Sequence, residues 1–260
     1  MTNRISKIFG ALANYAFPSF FQKFINQTYV KIFNIDLSDF DDIAHYKTLN
    51  ELFTRKLKKE RVFDQKPEIL IAPTDSLITE IGEVKNNQAL QIKGMEYSVN
   101  ELLGRELFDS GYNFVNFYLS PSDYHHYHAP CDMEIFEVSY FAGELLPVNL
   151  PSLQKNKNLF IRNERIVVSA KDKNQNDFYF VAVGALNVGK MSLCIEPRIQ
   201  TNAIPNQKCS FRYAEPIRVK KGEELGMFMM GSTVVFFAKN LQTSLKIWQK
   251  VRFGDSIGVF

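Results

Sequence analysis

From Ile69 onward the chain is a train of short apolar, β-branched and aromatic segments, cut apart by Gly, Pro, Asn and Lys clusters. "LQI" (90–92), "FVNFYLS" (114–120), "RIVVSA" (165–170), "FYFVAVGAL" (178–186), "MSLCIEP" (191–197), "SFRYA" (210–214) and "IRV" (217–219) are all of this kind. Such segments, bounded by turn formers, are too short for ordinary helices and read as strands. The spacing predicts an α+β, mainly-β fold, interrupted by one helix near Ser98 to Phe108. A chain of 260 residues has room for a sizeable core, and its 23 phenylalanines supply one.

The first 65 residues have another texture. Met1 to Lys31 carries Arg4, Lys7, Lys23 and Lys31 and no acidic residue. Ile5, Ile8, Phe9 and Leu12 recur at helical spacing, as do Phe20, Phe21, Phe24 and Ile25 after Pro18. The pattern fits a helical pair docked on the core; it equally fits an interfacial pair, aromatic below and basic above, on anionic lipid. "TLNELFTRKLKKERVF" (Thr48 to Phe63) is predicted to be a short helix whose basic end suits the helix dipole. The boundary falls near Val62 to Pro67. Residues 1–65 are the N-terminal helical, membrane-associating segment and residues 66–260 the β-rich domain.

Several classes are excluded. A net charge of +3 is too small to point to nucleic acid. No stretch approaches the roughly 20 apolar residues of a membrane span, and the apolar run from Ile8 to Leu12 is too short for a secretory signal. Cys131, Cys194 and Cys209 are odd in number and form no CxxC pair, which reads as reduced thiols in a cytoplasmic compartment.

One run breaks the strand grammar. In "KKGEELGMFMMGSTVVFFAKN" (Lys220 to Asn240), Gly231-Ser232-Thr233 separates two apolar stretches, where a plain hairpin would prefer Asn-Gly or Asp-Gly. The insertion brings a nucleophile. A serine hydroxyl needs an imidazole to take its proton and, usually, a carboxylate to orient that imidazole.

Of the four histidines, His125, His126 and His128 lie together in "LSPSDYHHYHAP". His126 and His128 share one face of a strand, so a zinc-dependent hydrolase built on this pair is one reading. It lacks a further histidine ligand, and the residue four after His45 is Leu49 rather than an aspartate. Proton transfer is the other reading, and Asp75 of "APTDSLITEIGEV" is a candidate carboxylate. A third is a membrane-surface module whose histidines are incidental.

Taken in order, "ELFTRKL", "PTDSLITEIGEV", "QIKGMEYSVNELLG", "FYLSPSDYHHYHAP", "GELLPVN", "RNERIVV", "VAVGALNVG" and "KGEELGMFMMGST" resemble the bacterial-type phosphatidylserine decarboxylases, a pyruvoyl-dependent proenzyme family. The resemblance runs from about Thr48 to Val235. "YHHYHAP" is similar to the family's paired histidines before a proline, and "MGST" to its LGST self-cleavage motif. The resemblance implies that Asp75 and His128 are the carboxylate and general base of self-processing. It implies that the chain is cut between Gly231 and Ser232, that Ser232 becomes a covalent pyruvoyl group, and that His125 serves the decarboxylation step. His126 receives no role. Ser76 stands where the family often has Gly, and Met230 replaces Leu, a like-sized apolar residue.

The activity so implied is decarboxylation of phosphatidylserine to phosphatidylethanolamine and CO2. The pyruvoyl carbonyl would capture the substrate amine and act as the electron sink. The resemblance further implies a sandwich- or barrel-like β core of the duplicated-hybrid-motif type and a homodimer of processed protomers, with the cleaved large and small chains staying associated. The protein would be peripheral, on an anionic surface at the cytoplasmic face of the cell membrane, with no metal and no nucleic acid.

Overall fold

The apolar runs form an antiparallel framework in a computed structural model that describes residues 10–107, 111–186, 190–202, 207–229 and 232–259. Its strands are β1 Ile69–Ile71, β2 Ser76–Glu83, β3 Gln88–Ile92, β4 Met95–Ser98, β5 Tyr112–Leu119, β6 His126–His128, β7 Met133–Phe141 and β8 Arg165–Lys171. There follow β9 Asp177–Gly184, β10 Lys190–Leu193, β11 Lys208–Val219, β12 Glu224–Met229, β13 Ser232–Lys239, β14 Lys250–Val251 and β15 Ser256–Val259. The largest sheet has the order β11-β7-β8-β9-β13-β5-β2-β14, and a smaller one has the order β10-β12-β6. The expectation of a mainly-β fold with some helices holds.

Strand β13 lies between β9 and β5 and is buried from Ser232 to Ala238. Burial on both faces explains why "VVFFA" is a continuous apolar run and not an alternating one. Phenylalanines fill the space around it, Phe178 lying 5.5 Å from Phe236 and Phe114 6.3 Å from Phe237 between ring centroids. Each ring so buried contributes about 1.5–3 kcal/mol. "SFRYA" and "IRV", read as separate segments, belong to the single strand β11. Its pairing with β7 slips between Arg212 and Ile217, around Pro216, which an edge strand tolerates.

The helices depart further from expectation. α1 (Ser19–Phe33) turns its polar side inward: Gln22 Nε2 donates to Asn26 Oδ1 (2.8 Å), and Asn26 Nδ2 donates to the carbonyl of Tyr46 (2.9 Å). Phe20, Phe24 and Ile32 point outward, 79%, 62% and 70% exposed. The helix docks through amides, with Phe20 and Phe24 left outside.

α2 spans only Leu49–Phe53 of the predicted Thr48 to Phe63. It starts where Thr48 accepts from the Glu51 amide and Glu51 accepts from the Lys47 amide. Beyond Thr54 the chain leaves the helix and Arg55 turns into the interior. α3 (Val99–Leu103) is capped by Ser98 and stopped by Gly104 at φ +68°; Phe108 lies outside the described residues. The spacing predicts one helix among the strands, but α4 (Leu150–Lys155) and α5 (Leu159–Arg162) are present as well.

Candidate active site

Strand β6 carries the histidines and pairs with β12, His126 opposite Met227, Tyr127 opposite Gly226 and His128 opposite Glu224. This approach demands glycine at 226, where a Cβ would lie 2.0 Å from the Ser192 carbonyl and 2.6 Å from the Tyr127 hydroxyl.

The three imidazoles have distinct partners. His128 Nδ1 lies 2.9 Å from the Gly222 carbonyl, which can only accept, so Nδ1 carries the proton. Its Nε2 therefore keeps a lone pair, facing the Tyr124 hydroxyl at 3.2 Å. The ring stacks on Phe253 at 3.8 Å, and burial pushes its pKa down to about 4. His125 is wholly buried against Phe53 (3.9 Å), with Nδ1 2.8 Å from the Asp123 carbonyl and Nε2 lacking a partner among the described residues. Burial first, and the Arg55 cation second, hold its pKa well below the ordinary histidine value. His126 lies between Glu224 Oε1 (2.9 Å) and the Thr54 carbonyl (3.1 Å) and stacks on Tyr124 (4.9 Å).

Asp75 lies on the turn before β2. Arg61 grips its carboxylate at both oxygens, with Nη2 3.1 Å from Oδ2, and the Phe253 amide donates to Oδ1 at 2.7 Å. Arg61 also reaches Asp39 (3.1 Å), which Arg252 binds in turn. Among the described residues Asp75 has no hydrogen bond to His128. The two are linked through Phe253, whose amide serves Asp75 while its ring lies on His128.

Ser232 opens β13, opposite Leu119 of β5 and Gly184 of β9. It is fully buried, and its Oγ has no hydrogen-bond partner among the described residues. Met230 and Gly231 lie outside the described residues. On their N-terminal side β12 is bonded to the histidine strand; on their C-terminal side β13 is bonded into the large sheet. β12, which ends at Met229, and β13, which begins at Ser232, thus belong to different sheets.

A cavity of about 480 Å³ opens over His128, lined by Arg61, Phe63, Tyr124, Lys221 and Phe253. Arg61 also lines a neighbouring cavity of about 270 Å³ that holds Asp75. The zinc reading finds no support. Among the described residues no three His, Cys, Asp or Glu side chains gather to hold a metal, and His126 spends both ring nitrogens on Glu224 and Thr54.

Sequence reasoning missed Arg61, Tyr124, Phe253 and Glu224 as neighbours of the site. Tyr124 lies inside the quoted histidine motif. In sequence Arg61 is one charge in the basic end of the helix predicted over Thr48 to Phe63, and no local signal marks Phe253.

Two buried imidazoles with depressed pKa values, and a buried serine hydroxyl without a hydrogen-bond partner among the described residues, are equipment for proton transfer and nucleophilic chemistry, so the class is enzymatic. Residues 49–259 match the phosphatidylserine decarboxylase family. Over its whole length the chain is 56% identical to the phosphatidylserine decarboxylase proenzyme of Helicobacter pylori (strain J99 / ATCC 700824), covering 98% of that protein. It is 43% identical to the proenzyme of Campylobacter jejuni subsp. jejuni, with 97% of each chain covered. It is 30% identical to the mitochondrial proenzyme of Cricetulus griseus, over 99% of this chain and 71% of that one. The chain belongs to the phosphatidylserine decarboxylase family and, with it, to the lyases.

Proposed function

We propose that this chain is a proenzyme that cuts itself between Gly231 and Ser232 and then converts phosphatidylserine to phosphatidylethanolamine and CO2. The observation that carries the reading is the Ser232 hydroxyl, buried without a hydrogen-bond partner among the described residues, at the start of the strand that follows the histidine sheet's β12. A buried hydroxyl left unsatisfied costs about 1–3 kcal/mol, so its retention calls for a reason. His128 Nε2 is the lone pair to which Ser232 passes its proton, and Asp75 is the carboxylate of this step. Asp75 must exchange Arg61 for His128 to act directly.

The Ser232 oxygen attacks the Gly231 carbonyl carbon and the amide becomes an ester. β-Elimination releases the chain ending at Gly231 and leaves dehydroalanine. Hydrolysis frees ammonia and caps Thr233 to Phe260 with a pyruvoyl group. Because β12 and β13 are bonded to different strands, both products stay in place after the cut. The orphaned oxygen at 232 fits that group, whose carbonyl supplies an electron sink for an amine substrate. His125 Nε2 is the atom that delivers the proton replacing the lost carboxylate, a role worth about 10²–10⁴-fold in rate.

Substrate tails keep the reaction at a bilayer. Outward Phe20, Phe24 and Ile32, with exposed Lys23 and Lys31, suit α1 to an anionic leaflet, each cation near the surface contributing about 1 kcal/mol. Among the described residues no helix is long and apolar enough to cross a membrane. We place the enzyme peripherally on the cytoplasmic face, residues 1–65 associating with lipid and residues 66–260 catalytic, as a homodimer of processed protomers. Mass spectrometry of purified protein tests the core of this. A C-terminal fragment lighter than its encoded peptide by one ammonia is expected, with none from Ser232→Ala. An unbroken, carbonyl-free wild-type chain overturns it.

A further inference from the structure

Arg55 is 1% exposed, yet no carboxylate pairs with it among the described hydrogen bonds and ion pairs. Its guanidinium goes to main-chain oxygens: Nη2 donates to the carbonyls of Ser122 (2.5 Å) and Asp123 (3.0 Å), and Nη1 reaches Leu52 at 3.4 Å. The Phe40 ring covers it at 4.6 Å. Burying an unpaired cation is expensive, so the placement needs an explanation beyond packing.

The Asp123 carbonyl provides it, because the same oxygen accepts from His125 Nδ1 at 2.8 Å. A carbonyl has two lone pairs and no proton, so it can serve both donors and forces Nδ1 of His125 to be one of them. Phe53, two residues before Arg55, lies on the imidazole at 3.9 Å and fixes its plane. Nε2 is left bare, buried and unpartnered.

We propose that Arg55 is a positioning residue for the decarboxylation step: by fixing the Asp123 carbonyl it locks His125 in the Nδ1–H tautomer and makes Nε2 the only nitrogen able to move a proton. The proposal rests on the reading of His125 as proton carrier. One proton enters from solvent at Nε2 and leaves to the carbon that CO2 has vacated, with no change of oxidation state at the protein. The charged and titratable groups facing the ring are Arg55 and His126; the Asp123 carboxylate is turned away onto Ser120. Burial and the Arg55 cation disfavour a standing imidazolium, so Nε2 releases its proton readily.

The test uses the full-length protein with ¹⁵N-labelled histidine. Only four histidines contribute, and the His125 signals are those lost in His125→Gln. The expected spectrum shows a protonated Nδ1 and a bare Nε2; the reverse tautomer overturns the role of Arg55 whatever His125 does in turnover. Arg55→Met is expected to self-cleave and hold KM within about twofold, while kcat falls about tenfold or more and the alkaline limb of its pH profile, set by the proton donor, moves upward. Arg55→Lys, which keeps the cation, is expected to leave that limb in place. If Arg55→Met does not fold, the wild-type spectrum and the Arg55→Lys profile decide. An Arg55→Met enzyme with parental kcat and pH profile overturns the proposal. A His125→Gln enzyme with parental turnover overturns the catalytic reading instead, and leaves the tautomer assignment standing.

Discussion

Arg61 binds Asp75 through both carboxylate oxygens, and in doing so stands between that carboxylate and the cavity over His128. The residue that the family resemblance assigns to the general base is held instead by a cation from the chain's basic run. Asp39 and Arg252 extend the pair into a four-membered network.

Both side chains of the pair are mostly buried, 14% and 15% exposed. Removing one leaves the other short of its partner. Arg61→Gln is expected to lower stability by about 2 kcal/mol in denaturant titration. Asp75→Asn is expected to leave the chain uncut on a denaturing gel, and the double variant to be less destabilised than the sum of the two single ones.

His128 is neutral in the fold down to about pH 4. If it is the base, self-cleavage of freshly synthesised chain is flat from about pH 8 to 6 and fails only as pH approaches 4. The same depression ties stability to pH. Between the unfolded histidine value near 6.5 and the folded value near 4, the unfolded chain binds the extra proton, so stability falls as pH falls. Chemical denaturation across that window is expected to show a loss of about 3 kcal/mol from His128, to which His125 adds in the same direction, with a plateau above pH 7.

Tyr124 donates to the lone pair of His128 and so favours the neutral ring. Tyr124→Phe keeps the stacking partner of His126 and His128 and removes only the hydroxyl. Self-cleavage is expected to persist, with its acid limb shifted upward by a fraction of a pH unit. An unmoved limb shows that the hydroxyl does not act on Nε2.

On α1 the docking side, through Gln22 and Asn26, is distinct from the exposed side that we propose meets lipid. Phe20→Ser with Phe24→Ser is expected to release the protein from vesicles containing anionic lipid in a sedimentation assay without changing its melting temperature, because both rings are exposed. Asn26→Ala does the opposite. It removes a buried bond to the Tyr46 carbonyl, lowering stability by about 1–3 kcal/mol while vesicle binding survives.

Much of the framework is written locally. β-Branched and aromatic runs bounded by Gly, Pro and Asn fix where β5, β8, β9 and β13 fall, since such side chains favour the pleated, buried surface whatever lies opposite. Ser232 behind a glycine and three crowded histidines announce chemistry for the same reason: residue type and spacing are local properties.

What the residues around those groups do was settled only by folding. Arg61 and Phe253 meet at Asp75 from 14 positions before it and 178 after it in sequence. No periodicity reports such a meeting. The helix predicted from Thr48 to Phe63 stops at Phe53, after which Arg55 reaches the carbonyls of Ser122 and Asp123 across 67 and 68 positions. Phe20 and Phe24 of α1 face outward, while the amides of Gln22 and Asn26 on its other side find buried partners. Strand identity is a property of a short segment. The partner of a buried charge or amide is chosen by every group that the fold brings within about 3 Å, and that choice exists only once the chain has closed.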